Sequence, residues 1–325
     1  MAEFGAQLDK ASARAEEREQ TNRRRKRAAR VSVFSNTLLI LAKLAVGLSI
    51  GSISVLSEAI HSSVDLLAAV IALMAVRIAA RPADKSHPYG HGKFENLSGT
   101  IESLLIFAGA GIIIFEALQK FGHNGETEAA FWGVLVMGAS ASVNFGVSRY
   151  LYKVAHETDS IALKADAAHL QTDVTTSLGV FVGLALVWLT GWSWLDPLTA
   201  LAVALLIIKA GWEILLHSVG GLLDAGLPVS EEEVIRETIQ RFSPQFINYH
   251  ELRTRQSGPE RHIDFHLVVP DTMTALEAHR LCDNLEESLD AVVNGAIIQI
   301  HVEPHSICHE EDGVFMCSPA RSITV

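Results

Sequence analysis

Cysteine is scarce in this chain. The three cysteines among 325 residues, Cys282, Cys308 and Cys317, form neither a disulfide framework nor a C-x-x-C pair, and they fit a reducing compartment. Residues 1–30 lack an apolar core ending in a small-residue cleavage site, so no signal peptide is expected and the first apolar run is read as an anchor that stays. No H-E-x-x-H motif occurs, and no repeat of solenoid period is visible. Basic residues thin out toward the end of the chain: from residue 228 onward there are 7 Lys and Arg against 17 Asp and Glu. That region carries −10 of the overall −11, which suits a cation-attracting surface and argues against nucleic-acid binding.

What is abundant is apolar. Hydrophobic residues make up 49% of the chain and mean hydropathy is +0.26, too high for an ordinary soluble protein of this length. Six apolar runs, near 31–50, 54–78, 97–118, 129–152, 161–189 and 195–219, are each long enough to cross a ~30 Å hydrocarbon core as a helix. The amino terminus, residues 77–93 and residues 149–164 are basic, with the run Arg23-Arg-Arg-Lys-Arg27 just before the first span, whereas 122–128 and 190–196 lack Lys and Arg. Excess positive charge stays on the cytoplasmic side, so both termini are expected there, in the inner membrane. Trp132, Trp192 and Trp194 then fall near the outer interface.

After residue 220 the pattern becomes that of a small α+β domain, in the order αββαβ. Ser230 followed by Glu231, Glu232 and Glu233 predicts a helix start. Strands are expected at 249–256 and 261–269, a helix at 274–289 and a last strand at 296–302. The resulting division is a basic segment (1–30), a six-helix transmembrane domain (31–220), a linker (221–228), the αββαβ domain (229–305) and a flexible tail (306–325).

Two pairs carry the chemistry. His61 and Asp65 lie four apart in the second span, and His169 and Asp173 repeat that spacing in the fifth. On a helix, residues four apart share a face, with Cβ atoms roughly 5–6 Å apart. Two imidazoles and two carboxylates match the number and type of ligands in a closed tetrahedral zinc site. The alternative is a pair of unrelated interhelical hydrogen bonds. An ionisable group in hydrocarbon costs at least ~2.5 kcal/mol, so the membrane setting favours the metal. Metal binding and protonation compete for such ligands, which is what an antiporter needs. Glu58, on the same stripe, reads as a partner of the ligands, a proton relay or a group at the interface.

With these motifs the chain resembles the cation diffusion facilitator family, in particular its bacterial zinc- and iron-efflux branch of divalent-metal/proton antiporters. The resemblance rests on Ser57-Glu-Ala-Ile-His61-Ser-Ser-Val-Asp65, Asp84-Lys-Ser-His87-Pro-Tyr-Gly-His91-Gly-Lys93, Ala165-Asp-Ala-Ala-His169-Leu-Gln-Thr-Asp173 and His250-Glu-Leu-Arg-Thr-Arg-Gln-Ser-Gly258. It implies a Zn²⁺/H⁺ antiporter, not an enzyme, with His61, Asp65, His169 and Asp173 as the transport site between the second and fifth spans. It also implies a homodimer that alternates access and a cytoplasmic domain of metallochaperone-like fold. Some members carry aspartate where His61 stands, and the histidine looks like the zinc-favouring version. Cd²⁺, Co²⁺ and Fe²⁺ are the other divalent ions to consider.

The resemblance further implies a metal site in the loop at Asp84, His87 and His91, which the residues alone would equally allow to be a solvated polar loop. It implies a binuclear site built from His250, His266, His279, His301 and Glu303 in the cytoplasmic domain, where Glu303 stands in place of the more usual aspartate. Lys93 and Asp224 are implied as a pair across subunits. The tail residues His305, Cys308, His309 and Cys317 suit soft or borderline metals in type but match no standard spacing. Two rival classes are a membrane metal sensor or scaffold and an intramembrane metallohydrolase. The latter would need an open coordination position and a general base.

Overall fold

The computed structural model describes residues 2–50, 53–120, 131–192, 194–311 and 314–317. They divide into two compact units, Met1–Gly220 and Gly221–Val325. The first holds six long helices: α1 (Ala2–Ile50), α2 (Ile53–Ala79), α3 (Lys93–Lys120), α4 (Phe131–Thr158), α5 (Ile161–Thr190) and α6 (Leu195–Leu222). Among the described residues, five of them are long and apolar enough to cross a bilayer; in α4 the side chains of the first turn lie outside the described residues.

Alanine sets how closely these helices approach. Ala28 and Ala29 of α1, Ala75 of α2, Ala155 of α4 and Ala162 and Ala167 of α5 are buried in one cluster with Leu73, Val76, Leu151 and Leu163. The opposite side of α5 packs Ala165 and Ala168 against Ile106 and Ala110 of α3 and Ile207 of α6. Helix α5 therefore lies between two packed layers, as the small-residue rule for membrane helices leads one to expect. Farther along, a Cβ on Gly179 would collide with Val203 of α6, so the glycine allows the backbone contact. Large side chains such as Phe34, Leu48, Phe181 and Trp188 point outward, where lipid rather than water can cover them. Ser160 caps the start of α5 by accepting from Leu163 N, and Gly191 in the left-handed conformation (φ 74°) ends it, its N–H donating to Val187 O at 2.8 Å.

Helix α1 differs from the expectation of a separate basic segment, because it runs on as a helix from Ala2. Arg25 explains part of this continuity. It is 4% exposed, and its Nη1 donates at 2.7 Å to Glu95 Oε1 on α3. The second oxygen of Glu95 accepts from Ser160 Oγ at 2.5 Å. One buried carboxylate thus ties α1, α3 and the N-terminus of α5 together.

The second unit contains α7 (Val229–Gln240), β1 (Asn248–Ser257), β2 (Glu260–Val269), α8 (Ala275–Val292) and β3 (Ala296–Pro304). This is the αββαβ order that the pattern predicts. The sheet order is β1-β2-β3, with β1 antiparallel and β3 parallel to β2. Ile235 and Ile239 of α7 and Leu281, Leu285 and Leu289 of α8 cover Ile263, Phe265 and Leu267 of β2. Thr274 and Glu277 form a reciprocal capping box at the start of α8. Burial-independent backbone bonds to that acid, from Thr274, hold the Glu277 carboxyl below its usual range. The start of α7 departs from the expectation: Pro228, not Ser230, occupies the cap, its carbonyl accepting from Glu231 and Glu232 N at 2.9 and 3.1 Å.

The expected flexible tail is also corrected in part. Cys308–Glu311 and Val314–Cys317 form a two-stranded antiparallel hairpin, β4 and β5, with positions 308 and 317 opposite each other. Cys308 is disulfide-bonded, so the reading of three reduced thiols fails there, while Cys282 is a buried free thiol. Burial pushes the Cys282 thiol up.

Candidate metal centres

The helical period places His61 and Asp65 one turn apart on α2 and His169 and Asp173 one turn apart on α5. The structure brings the two pairs together. Ligand atoms of His61, Asp65 and Asp173 all lie within 4.8 Å of one another, and His169 Nε2 is 3.2 Å from Asp65 Oδ1. Asp65 is 4% and His169 7% exposed, so these polar groups sit inside the bundle, whereas His61 is exposed. His169 Nδ1 makes no hydrogen bond among the described residues. Two imidazoles and two carboxylates of this kind can strip a divalent cation of its water and replace it with fixed ligands.

Two residues near this centre were not singled out from the sequence. Asn144 of α4 donates through Nδ2 to Asp173 Oδ2 at 3.2 Å. Lys43 of α1 is 5% exposed, donates to Ser62 Oγ at 2.8 Å, and its positive charge acts on Asp173. The available signal was the same for both, a lone polar or ionisable side chain within an apolar span. Glu58 belongs to α2, but its side chain lies outside the described residues.

A second cluster forms where α2 ends and α3 has not begun. His87 Nδ1 is 3.5 Å and His91 Nε2 3.4 Å from the two oxygens of Asp84, and the imidazole centroids are 4.5 Å apart. The backbone N–H groups of His87 and Ser86 both donate at 2.8 Å to Asp84 Oδ1. Those bonds, with the histidines nearby, hold the Asp84 carboxyl below its usual range despite some desolvation. His91 is 5% exposed and its Nδ1 has no partner among the described residues.

The third cluster is on the sheet of the second unit. Parallel register pairs His266 with His301, and antiparallel register pairs it with His250. Glu303, 8% exposed, receives both neighbours: His250 Nε2 at 3.0 Å and His266 Nδ1 at 3.1 Å. His301 Nε2 is 3.7 Å from the same carboxylate. His279 is elsewhere on α8, exposed and 3.6 Å from Asp283, and is not gathered into this group within one chain. Glu251 is, with ligand atoms of His250, Glu251 and His266 all within 4.8 Å. Strand alternation would send residues 250 and 251 to opposite faces. A bulge between His250 and Arg253, with Glu251 at φ 51°, breaks that alternation, and no pattern in the sequence announces it.

Of the remaining residues, Asp224 accepts from Arg255 Nη1 at 3.1 Å, and Lys93 begins α3. His305 is exposed in a 3-10 turn after β3, and Cys308 Sγ is 4.0 Å from Glu303 Oε2. The loop 122–128 and the side chains of Trp132, His309 and Cys317 lie outside the described residues.

Residues 29–223 match the family model described as the cation efflux transmembrane domain, and residues 227–305 match that of the cation efflux protein cytoplasmic domain. An uncharacterized transporter of Synechocystis, sll1263, is 36% identical over 254 residues, 78% of this chain and 82% of that protein. The cation-efflux pump FieF of Klebsiella pneumoniae strain 342 is 32% identical over 281 residues, 86% of this chain and 93% of the pump. The FieF of Pectobacterium atrosepticum is 35% identical over 266 residues, 80% of this chain and 86% of the pump.

Proposed function

The chain belongs to the cation efflux, or cation diffusion facilitator, family of membrane transporters, and we propose that it exports Zn²⁺ from the cytoplasm in exchange for protons. The observation that carries this reading is the convergence of His61, Asp65 and Asp173 within 4.8 Å, with His169 3.2 Å from Asp65. Four protein ligands of mixed nitrogen and oxygen type suit tetrahedral zinc.

The exchange follows from charge. A divalent cation neutralises Asp65 and Asp173 when it binds. When it leaves, two carboxylates inside the bundle need another source of positive charge, and protons supply it. Because the ligands must be deprotonated to hold metal, the two cargoes compete for one place, and exposing that place to each side in turn couples their movements. The basic residues around α1, the α2–α3 loop and the α4–α5 junction support both termini facing the cytoplasm in the inner membrane. The match of the second unit to a cation efflux cytoplasmic domain supports a homodimer, in which Lys93 and Asp224 would pair across subunits. The Asp84-His87-His91 loop would collect metal near the membrane. The His250, His266, His301 and Glu303 cluster, joined by Glu251 and with His279 drawn from elsewhere on the domain, would bind metal and set the dimer's geometry.

Purified protein in liposomes tests the reading. Zinc uptake driven by an acid-lumen pH gradient is expected for the wild type, and Asp65→Ala should reduce it to the protein-free leak. Flux indifferent to the gradient would remove the antiport, and flux surviving Asp65→Ala would remove the site.

A further inference from the structure

Helix α3 carries two fully buried glutamates seven residues apart, on one face, and they are treated differently. Glu95 is neutralised by Arg25 and held by Ser160. Glu102 has Ser98 Oγ donating to Oε1 at 2.9 Å, while Oε2 has no hydrogen-bond partner among the described residues. Its electrostatic neighbour is another acid, Asp166 of α5, also 0% exposed, neither of whose oxygens makes a hydrogen bond of ordinary length among the described residues. Ser32 of α1 is the side-chain hydroxyl that reaches Asp166. No Lys or Arg among the described residues pairs with either acid. The titratable groups that act on Asp166 are Glu102 of α3, Asp65 of α2 and His169 of α5.

Two ionised carboxylates that feel each other's charge in such a place would each carry an uncompensated desolvation penalty, with no Lys or Arg among the described residues to offset it. At least one proton must reside on the pair. Asp166 is three residues before His169, about 4.5 Å along the helix axis. The pair therefore lies between the metal centre and the N-terminal ends of α3 and α5, where Glu95 and Ser160 meet.

We propose that Glu102, with Asp166, is a proton-holding site of the transport cycle, distinct from the metal ligands, that exchanges protons with the metal centre through the α5 helix face. This rests on the proton-exchange reading above. As zinc binds from the cytoplasmic side, the protons it displaces pass by way of Asp166 and Glu102 to the α3–α5 end, and as the cation leaves on the outer side, protons from that side reload the emptied ligands. Besides the metal–ligand bonds only O–H and N–H bonds change, and two protons taken up from the outer side match the double charge of each departing cation.

The test uses the full-length protein in detergent and in liposomes. Zinc affinity, protons released per zinc and the pH profile of zinc flux are measured for wild type, Glu102→Gln and Glu102→Asp. Glu102→Gln should bind zinc within about threefold of wild type, because Glu102 is not a ligand, yet lose the acid-side dependence of flux; Glu102→Asp should restore it. Reaction of the wild type with dicyclohexylcarbodiimide, which adds to protonated buried carboxyls, should label Glu102, and this arm requires no variant to fold. An unaltered pH profile in Glu102→Gln, or unlabelled Glu102 at neutral pH, would overturn the proposal. If the wild type itself releases no protons on binding zinc, the exchange reading fails and takes this one with it; if it does and Glu102→Gln behaves identically, only the present inference falls.

Discussion

His169 Nε2 lies 3.2 Å from Asp65 Oδ1, across 104 residues of chain, and this contact joins α5 to α2 inside the bundle. The contact makes each helix's candidate ligands depend on the other helix's position. Replacing either residue by alanine should lower zinc flux by more than the roughly 10–100-fold that loss of an outer-shell partner costs a metal site. Flux in liposomes checks this, and flux within threefold of wild type would contradict it.

Asn144 orients Asp173 through a single hydrogen bond donated by its side-chain amide from α4. Asn144→Leu keeps the volume and removes the donor, so zinc affinity should fall about 10–100-fold with the number of bound ions unchanged. Isothermal titration of the detergent-solubilised protein gives both quantities.

Two ion pairs of similar length should differ sharply in worth. Arg25–Glu95 (2.7 Å) is buried at both ends, and Arg24–Glu157 (2.5 Å) is largely exposed. Removing one partner of a buried pair leaves an uncompensated charge and costs about 3–5 kcal/mol, so Arg25→Met should strongly lower the unfolding temperature in detergent. Arg24→Met should cost at most ~1 kcal/mol, because solvent screens an exposed pair.

These elements also show what was legible in the sequence. The spans, the αββαβ order and the two four-residue His/Asp spacings follow from periodicity, because burial in a helix or strand imposes its repeat on side-chain type. The features that escaped depend on contacts between distant segments. Arg25 reads as part of a basic topology signal until Glu95 is seen beside it, and that pairing accompanies the continuation of α1 toward Ala2. Glu251 joins a histidine cluster only because a bulge turns one residue, and the hairpin holding Cys308 is too short to show a repeat. Asn144 had a detectable signal, polarity within an apolar run, but no second residue at helical spacing to give it a role.

The α2–α3 loop should bind divalent metal with a pH dependence set by its imidazoles. Backbone N–H bonds hold Asp84 below the usual carboxylate range, so it remains ionised from about pH 8 down to 5. Stabilisation of the loop by that carboxylate is present above the usual range and disappears only as pH falls through the depressed value. Affinity should therefore drop on acidification as protons displace metal from His87 and His91. Asp84→Asn removes the carboxylate that both imidazoles face, so it should weaken metal binding throughout this window. Titrations in a variant background lacking Asp65, Asp173 and Glu303 isolate this loop, and an affinity there unchanged by Asp84→Asn would contradict the assignment.

Anomalous scattering at the zinc edge, from crystals of the full-length protein grown with zinc, tests the central claim most directly. The account predicts a peak within coordination distance of His61, Asp65, His169 and Asp173 together. Zinc peaks confined to the loop and the cytoplasmic domain, with those four side chains too far apart to share one ion in every captured state, would contradict it.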